Sequence, residues 1–199
     1  MRKKLGTFCM SLGAVLILAA LSLFLANRQE NNEAGYLAQD AVLQLREQAA
    51  AAAKTDDPAL LPDPFDPAMT ETEIDGYRYV GYVYLEPFGM ALPVMSDWSY
   101  PQLKIAPCRY FGSTKTDNIV IAAHNYERHF GKIKDLSAGD RIFFTDMDGI
   151  VSEYAVAAVE ILSPTAVEDM TAGSFALTLF TCTYGGKYRV TVRCDRAAE

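Results

Sequence analysis

Leu177-Thr-Leu-Phe-Thr-Cys182-Thr-Tyr-Gly-Gly-Lys-Tyr-Arg189-Val-Thr-Val-Arg-Cys194 holds two alternating runs on either side of Gly185-Gly186. The pattern predicts a β-hairpin. With Tyr184–Lys187 as a four-residue turn, Thr183 faces Tyr188 and Cys182 lies directly opposite Arg189. Opposed residues share a sheet face, with Cβ atoms about 5 Å apart. That register puts Leu177, Leu179, Thr181, Val190, Val192 and Cys194 on one face, which is the core face. Thr178, Phe180, Cys182, Arg189, Thr191 and Arg193 fall on the other. A slip of one residue would set Arg189 among the leucines, and the cost of burying a charge opposes it.

The same texture extends outward from the hairpin. Short runs rich in Val, Ile, Tyr and Phe alternate with turn signals over Tyr79–Leu85, Ala91–Met95, Asn118–Ala123, Arg141–Thr145 and Glu153–Val159. Asp148-Gly149 is a further hairpin signal. Many short strands with few helices predict an antiparallel barrel or sandwich over residues 77–199.

The N-terminal part reads differently. Leu5 to Ala26 is 22 residues without a charge. As a helix rising ~1.5 Å per residue it is long enough to cross a bilayer. Arg2, Lys3 and Lys4 precede it, so the N-terminus is expected in the cytoplasm and the remainder outside. A cleaved leader is the alternative. The small-residue string Ala20-Leu21-Ser22 lies inside the apolar run, which favours an anchor. Residues 27–57 predict a helical stalk, with Leu37, Ala41 and Leu45 at four-residue spacing. Residues 58–76, with four prolines and five acidic residues, predict a solvated linker.

Composition excludes several functions. Half of the 199 residues are apolar and 11 % aromatic, so the chain is not disordered overall. The net charge is −7, and without the basic N-terminal cluster it is −10, which argues against a nucleic-acid partner. Four cysteines, no CxxC pair and two histidines give a structural zinc site almost no ligands. Asp146 and Asp148 read as turn residues. No metal and no cofactor are expected.

Two side chains invite chemistry. Cys182 ends a strand beside a guanidinium, and a neighbouring cation stabilises thiolate, the reactive form. Arg193, about 13 Å further along at ~3.3 Å per residue, is too far to share the sulfur. A cysteine nucleophile needs a partner that moves protons near neutral pH, which arginine cannot do and histidine can. His124 ends the apolar run Ile119-Val-Ile-Ala-Ala, where a scaffold can present it in a groove. His129, in the loop beyond, reads as a surface or packing residue.

At these residues the chain resembles the sortases, membrane-anchored cysteine transpeptidases of Gram-positive bacteria. Thr178-Leu-Phe-Thr-Cys182 matches the TLxTC signature, and His124 and Arg189 supply the other two. Ala91-Leu-Pro-Val-Met95, His129-Phe-Gly131, Leu136 and Gly139-Asp140 follow the family domain as well. The resemblance implies an eight-stranded sortase β-barrel with short helices. It assigns Cys182, His124 and Arg189 as catalytic and Thr181 and Thr183 as substrate contacts. The implied partners are proteins ending in an LPxTG-like sorting signal and an amine acceptor on a cell-wall precursor or pilin. The Cys182–Arg189 connection is too short for a class-specific long loop, and the body resembles short sortases of clostridial type, classes B and D. Asp63-Pro64-Phe65 is similar to the lid of pilus-building members, with a plain linker as the alternative reading. Cys108 and Cys194 are expected to be reduced packing residues. A thiol hydrolase and a non-enzymatic surface barrel are the rival functions.

Overall fold

The computed structural model describes residues 2–54, 66–172 and 174–197. The Asp63-Pro64-Phe65 segment lies outside the described residues. Nine strands run β1 (Thr72–Ile74), β2 (Tyr77–Leu85), β3 (Met90–Met95), β4 (Cys108–Phe111), β5 (Ile119–Ala122), β6 (Arg141–Asp146), β7 (Val151–Leu162), β8 (Leu177–Cys182) and β9 (Arg189–Arg196). Their order is β1-β2-β3-β4-β5-β8-β9-β7-β6, and β6 also pairs with β2. That last pairing closes eight strands into a barrel. β1 pairs with Tyr77–Tyr79 of β2 and β6 with Gly81–Leu85, so both use the same edge in succession.

The seven runs expected as strands are all strands, several of them longer than the apolar pattern. β1 and β4 were not expected. β1 has three residues inside the acidic, proline-rich stretch, and β4 has four residues directly after Pro107, too short for alternation to register. The barrel is not wholly antiparallel. β3 pairs with β4, and β5 with β8, in parallel.

The β8–β9 register agrees with the hairpin reading, with Cys182 opposite Arg189 and Leu177 opposite Cys194. The core face is as read: Leu177, Leu179, Val192 and Cys194 are fully buried. The opposite face is covered too. Arg193 is buried beneath α3 (Val167–Thr171). It donates to Glu160 at 2.6 Å, to Thr178 Oγ1 at 3.2 Å and to the Asp169 carbonyl at 2.6 Å. It therefore fastens α3 to the barrel and plays no part near Cys182.

α1 spans Arg2–Ala52 as one helix. Its N-terminal part contains a stretch long and apolar enough to cross a membrane, none of it buried in the fold. The part expected as a free stalk lies against the barrel. Ala34, Ala38, Ala41, Val42, Leu45 and Ala49 are buried, whereas Leu37 is exposed. These positions recur at three- and four-residue steps and form one stripe. Being mostly alanine, the stripe barely registers as apolar. Ala41, Leu45 and Ala49 join Ile74, Tyr79, Met95, Cys108 and Met147 in a cluster outside the barrel, separate from the interior cluster that contains Cys194. Cys108 and Cys194 are thus unpaired and in different clusters. Asp146 shapes the β6–β7 turn by accepting the N–H groups of Asp148 and Ile150 at 3.0 and 2.9 Å.

Candidate active site

The parallel β5–β8 pairing builds the site. Parallel strands end at the same side of a sheet, and here Ala122 pairs with Phe180. Two residues further on, His124 and Cys182 leave their strands side by side. The Ala123 N–H donates to the Phe180 carbonyl at 3.1 Å, and Thr181 Oγ1 donates to the Ala123 carbonyl at 2.8 Å. β9 brings Arg189 from the other flank of β8.

His124, Cys182 and Arg189 line one cleft of about 200 Å³. Its walls are aromatic and apolar. Trp98 packs on Tyr110 at 5.4 Å, Tyr110 meets Phe180 edge-on at 5.3 Å, and Tyr100, Val167 and Met170 complete the rim. Cys182 also borders a second cleft of about 240 Å³, lined by Asn125, Lys134, Thr183 and Tyr184. Cys182 is half-buried and stands at the ridge between the two grooves.

Arg189 is half-buried, with Nη1 donating to the carbonyls of Gly186 and Tyr188 at 3.2 and 3.3 Å. It has no carboxylate partner among the described residues, so its other donors are available to a ligand. The turn that carries it needs glycine, because Gly185 and Gly186 have φ of 81° and 72°. Thr183 closes that turn: its Oγ1 accepts from the Tyr188 N–H at 3.1 Å and its own N–H donates to the Tyr188 carbonyl at 2.9 Å. Both threonines expected to contact substrate thus have their hydroxyls engaged within the fold. Thr181 braces the two strand ends and Thr183 the turn.

His124 is half-buried, and burial lowers its pKa, with the nearby Lys104 cation adding to the effect and Glu30 opposing it. The imidazole is therefore mostly neutral at neutral pH. His129 is fully buried, not at the surface. Neither of its ring nitrogens makes a well-aligned hydrogen bond among the described residues, although the Ala34 and Ile105 backbones lie close enough to favour its charged form. Burial, helped by the His124 charge, pushes its pKa down to about 4. A depressed histidine stabilises the fold fully above the unfolded value of ~6.5, and that contribution is lost as pH falls toward 4. Thermal melts of the full chain in detergent should thus show a loss of roughly 3 kcal/mol between about pH 6.5 and 4. His129→Leu should flatten the slope in that window, and an unchanged slope would place the proton uptake elsewhere.

Sequence reasoning placed Cys182, His124 and Arg189, and the fold brings all three to one cleft. It missed the aromatic wall. Trp98 and Tyr110 stand in segments far from Cys182 in the chain, with no spacing that ties them to it.

Comparison with known proteins gives a concordant result. A family model described as the sortase domain matches residues 83–197. Sortase A from Corynebacterium diphtheriae is similar at 16 % identity, with TM-score 0.56, over 91 % of this chain and 96 % of that one. Clostridium perfringens sortase C, solved with the C-terminal cell wall sorting motif, is similar at 21 % identity, with TM-score 0.55, over 81 % and 89 %. Sortase C1 from Streptococcus suis shares 22 % identity, with TM-score 0.53, over 61 % and 74 %. No curated protein matches. At these identities the solved structures speak for the fold alone, whereas the family model spans more than half of the sequence. With its closed eight-stranded barrel and the matched segment running from β2 to the end of β9, this chain belongs to the sortase family.

Proposed function

We propose that the protein is a membrane-tethered transpeptidase that cleaves a C-terminal sorting signal of LPxTG type and joins the new terminus to an amine. The carrying observation is the convergence of Cys182, His124 and Arg189 on one cleft with aromatic and apolar walls. In this reading the Cys182 thiolate attacks the carbonyl carbon of the scissile peptide bond. Arg189 donates to the oxygen as negative charge develops there. His124, as imidazolium, gives its proton to the leaving amine as the C–N bond breaks, and a thioester remains on Cys182. The acceptor amine then attacks the thioester, His124 takes its proton, and the thiolate leaves.

The ridge position of Cys182 suits two substrates. The aromatic cleft can hold the acyl peptide while the second groove admits the incoming amine to the same carbon. The acceptor class is an amine on a cell-wall precursor or a pilin subunit. The apolar start of α1 is read as a single-pass anchor, with the barrel outside the cell.

Incubating the full chain with a pool of sorting-type peptides, with and without a small amine nucleophile, tests this. New amide products in the presence of amine, detected by mass spectrometry, are expected. A hydrolase would release free acid only, whatever amine is added. A non-enzymatic barrel would leave the peptides intact.

A further inference from the structure

The loop that carries His124 is held from behind by α1, over the turns that directly follow the apolar stretch. Glu30 Oε2 accepts from the Tyr126 hydroxyl at 3.4 Å, and Asn31 Oδ1 accepts from the Arg128 backbone N–H at 3.3 Å. The Arg128 guanidinium lies over the Tyr36 ring, 5.5 Å from its centroid. Between these contacts stands Gly35, where a Cβ would come 2.0 Å from Arg128 Cδ. A glycine inside a helix costs about 1 kcal/mol relative to alanine. Here it lets the Arg128 side chain lie directly against the helix.

On its other side the loop grips the imidazole. The Tyr126 ring stacks on His124 with centroids 4.9 Å apart and planes 29° apart, and it also packs against His129 at 5.5 Å. The loop is wound tightly around Tyr126, whose carbonyl accepts from the N–H groups of His129 and Gly131 at 2.9 and 2.8 Å. Tyr126 thus touches α1 with its hydroxyl and His124 with its ring. A catalytic imidazole on a loop must be held to within about 1 Å, because misplacement on that scale can cost about 10²-fold in rate.

We propose that Tyr126 is a positioning residue for His124, and that Glu30, Asn31 and Gly35 of the anchor helix hold Tyr126 in place. The proposal rests on the reading of His124 as the proton carrier. The charged and titratable groups around the imidazole are Glu30 from α1, Lys104 from the segment after α2 (Tyr100–Leu103), Cys182 from β8, Arg189 from β9, and Tyr126 and His129 from its own loop. Glu30 favours the charged imidazole and burial opposes it, so two substitutions should move the titration in opposite directions.

The test uses the full chain in lipid nanodiscs, with Tyr126→Leu, Tyr126→Phe and Glu30→Gln. Hydrogen exchange is read at amides 124–131, and the pH dependence of peptide cleavage is read alongside it. Tyr126→Leu should speed exchange in the loop, lower kcat about 10- to 100-fold with KM within about twofold, and move the acid limb of kcat/KM upward. Tyr126→Phe, which keeps the ring, should recover most of kcat. Glu30→Gln should move the acid limb downward. Native kcat and loop exchange in Tyr126→Leu would overturn the proposal, as would a lower kcat with the acid limb unmoved. If the native chain cleaves none of the peptides, the transpeptidase reading fails. The exchange arm then still decides whether α1 holds the loop.

Discussion

Cys182→Ala should abolish thioester formation and lower peptide cleavage by about 10⁴-fold or more, because alanine offers no nucleophile. The side chain is small and half-buried, so the variant should fold normally and still bind the peptide. Intact-mass measurement after mixing with substrate should show an acyl adduct on the native chain and none on the variant. The other cysteines cannot substitute. Burial pushes the thiols of Cys108 and Cys194 up to about 12. Cys9 lies in the apolar stretch of α1, remote from the cleft. A thiol-directed alkylating probe should therefore mark Cys182 within the barrel domain and silence the enzyme. Cleavage that persists in Cys182→Ala would end the covalent mechanism.

His124→Gln should lower kcat about 10²- to 10⁴-fold, the range that general acid–base catalysis supplies. The loss should fall on substrates with a poor leaving group. A peptide ester carrying an activated leaving group departs without a proton and should restore much of the acylation rate. Equal losses on amide and activated ester would remove His124 from proton transfer. The native pH profile of kcat/KM should be bell-shaped. Because burial lowers the His124 pKa, the acid limb should lie below the ordinary imidazole value of ~6.5.

Much of this site could be read along the chain because β8 and β9 form a hairpin. Alternation fixes which residues share a face, a short turn fixes the register, and Cys182 then has to oppose Arg189. The β5–β8 pairing is another matter. Parallel neighbours come from distant stretches, and nothing local says that the end of Ile119–Ala122 lies beside Cys182. There the family signatures placed His124, and the fold supplied the physical reason. β1 and β4 are set by tertiary pairing and not by their own few residues. The packing stripe of α1 escaped notice for a different reason. Leu37, Ala41 and Leu45 mark only a thin face, and alanine adds little apolar contrast, so Ala34, Ala38 and Ala49 give no local sign that the helix packs on the barrel. Tyr126 follows His124 by two residues and carries no local mark of the contact it makes with Glu30.

The unbroken course of α1 fixes the geometry of the whole machine. Glu30 and Asn31 touch the loop at the His124 end of the barrel, and the stretch near Ala49 abuts the Gly149 turn at the other. With the apolar stretch in a bilayer, Glu30 stands only four positions beyond Ala26, about 6 Å at ~1.5 Å per residue. The reactive end of the barrel would then hang downward at a fixed, low altitude, unable to sweep through the space above. Peptide bonds lying just beyond the lipid headgroups would be in range, and those held farther from the membrane would not.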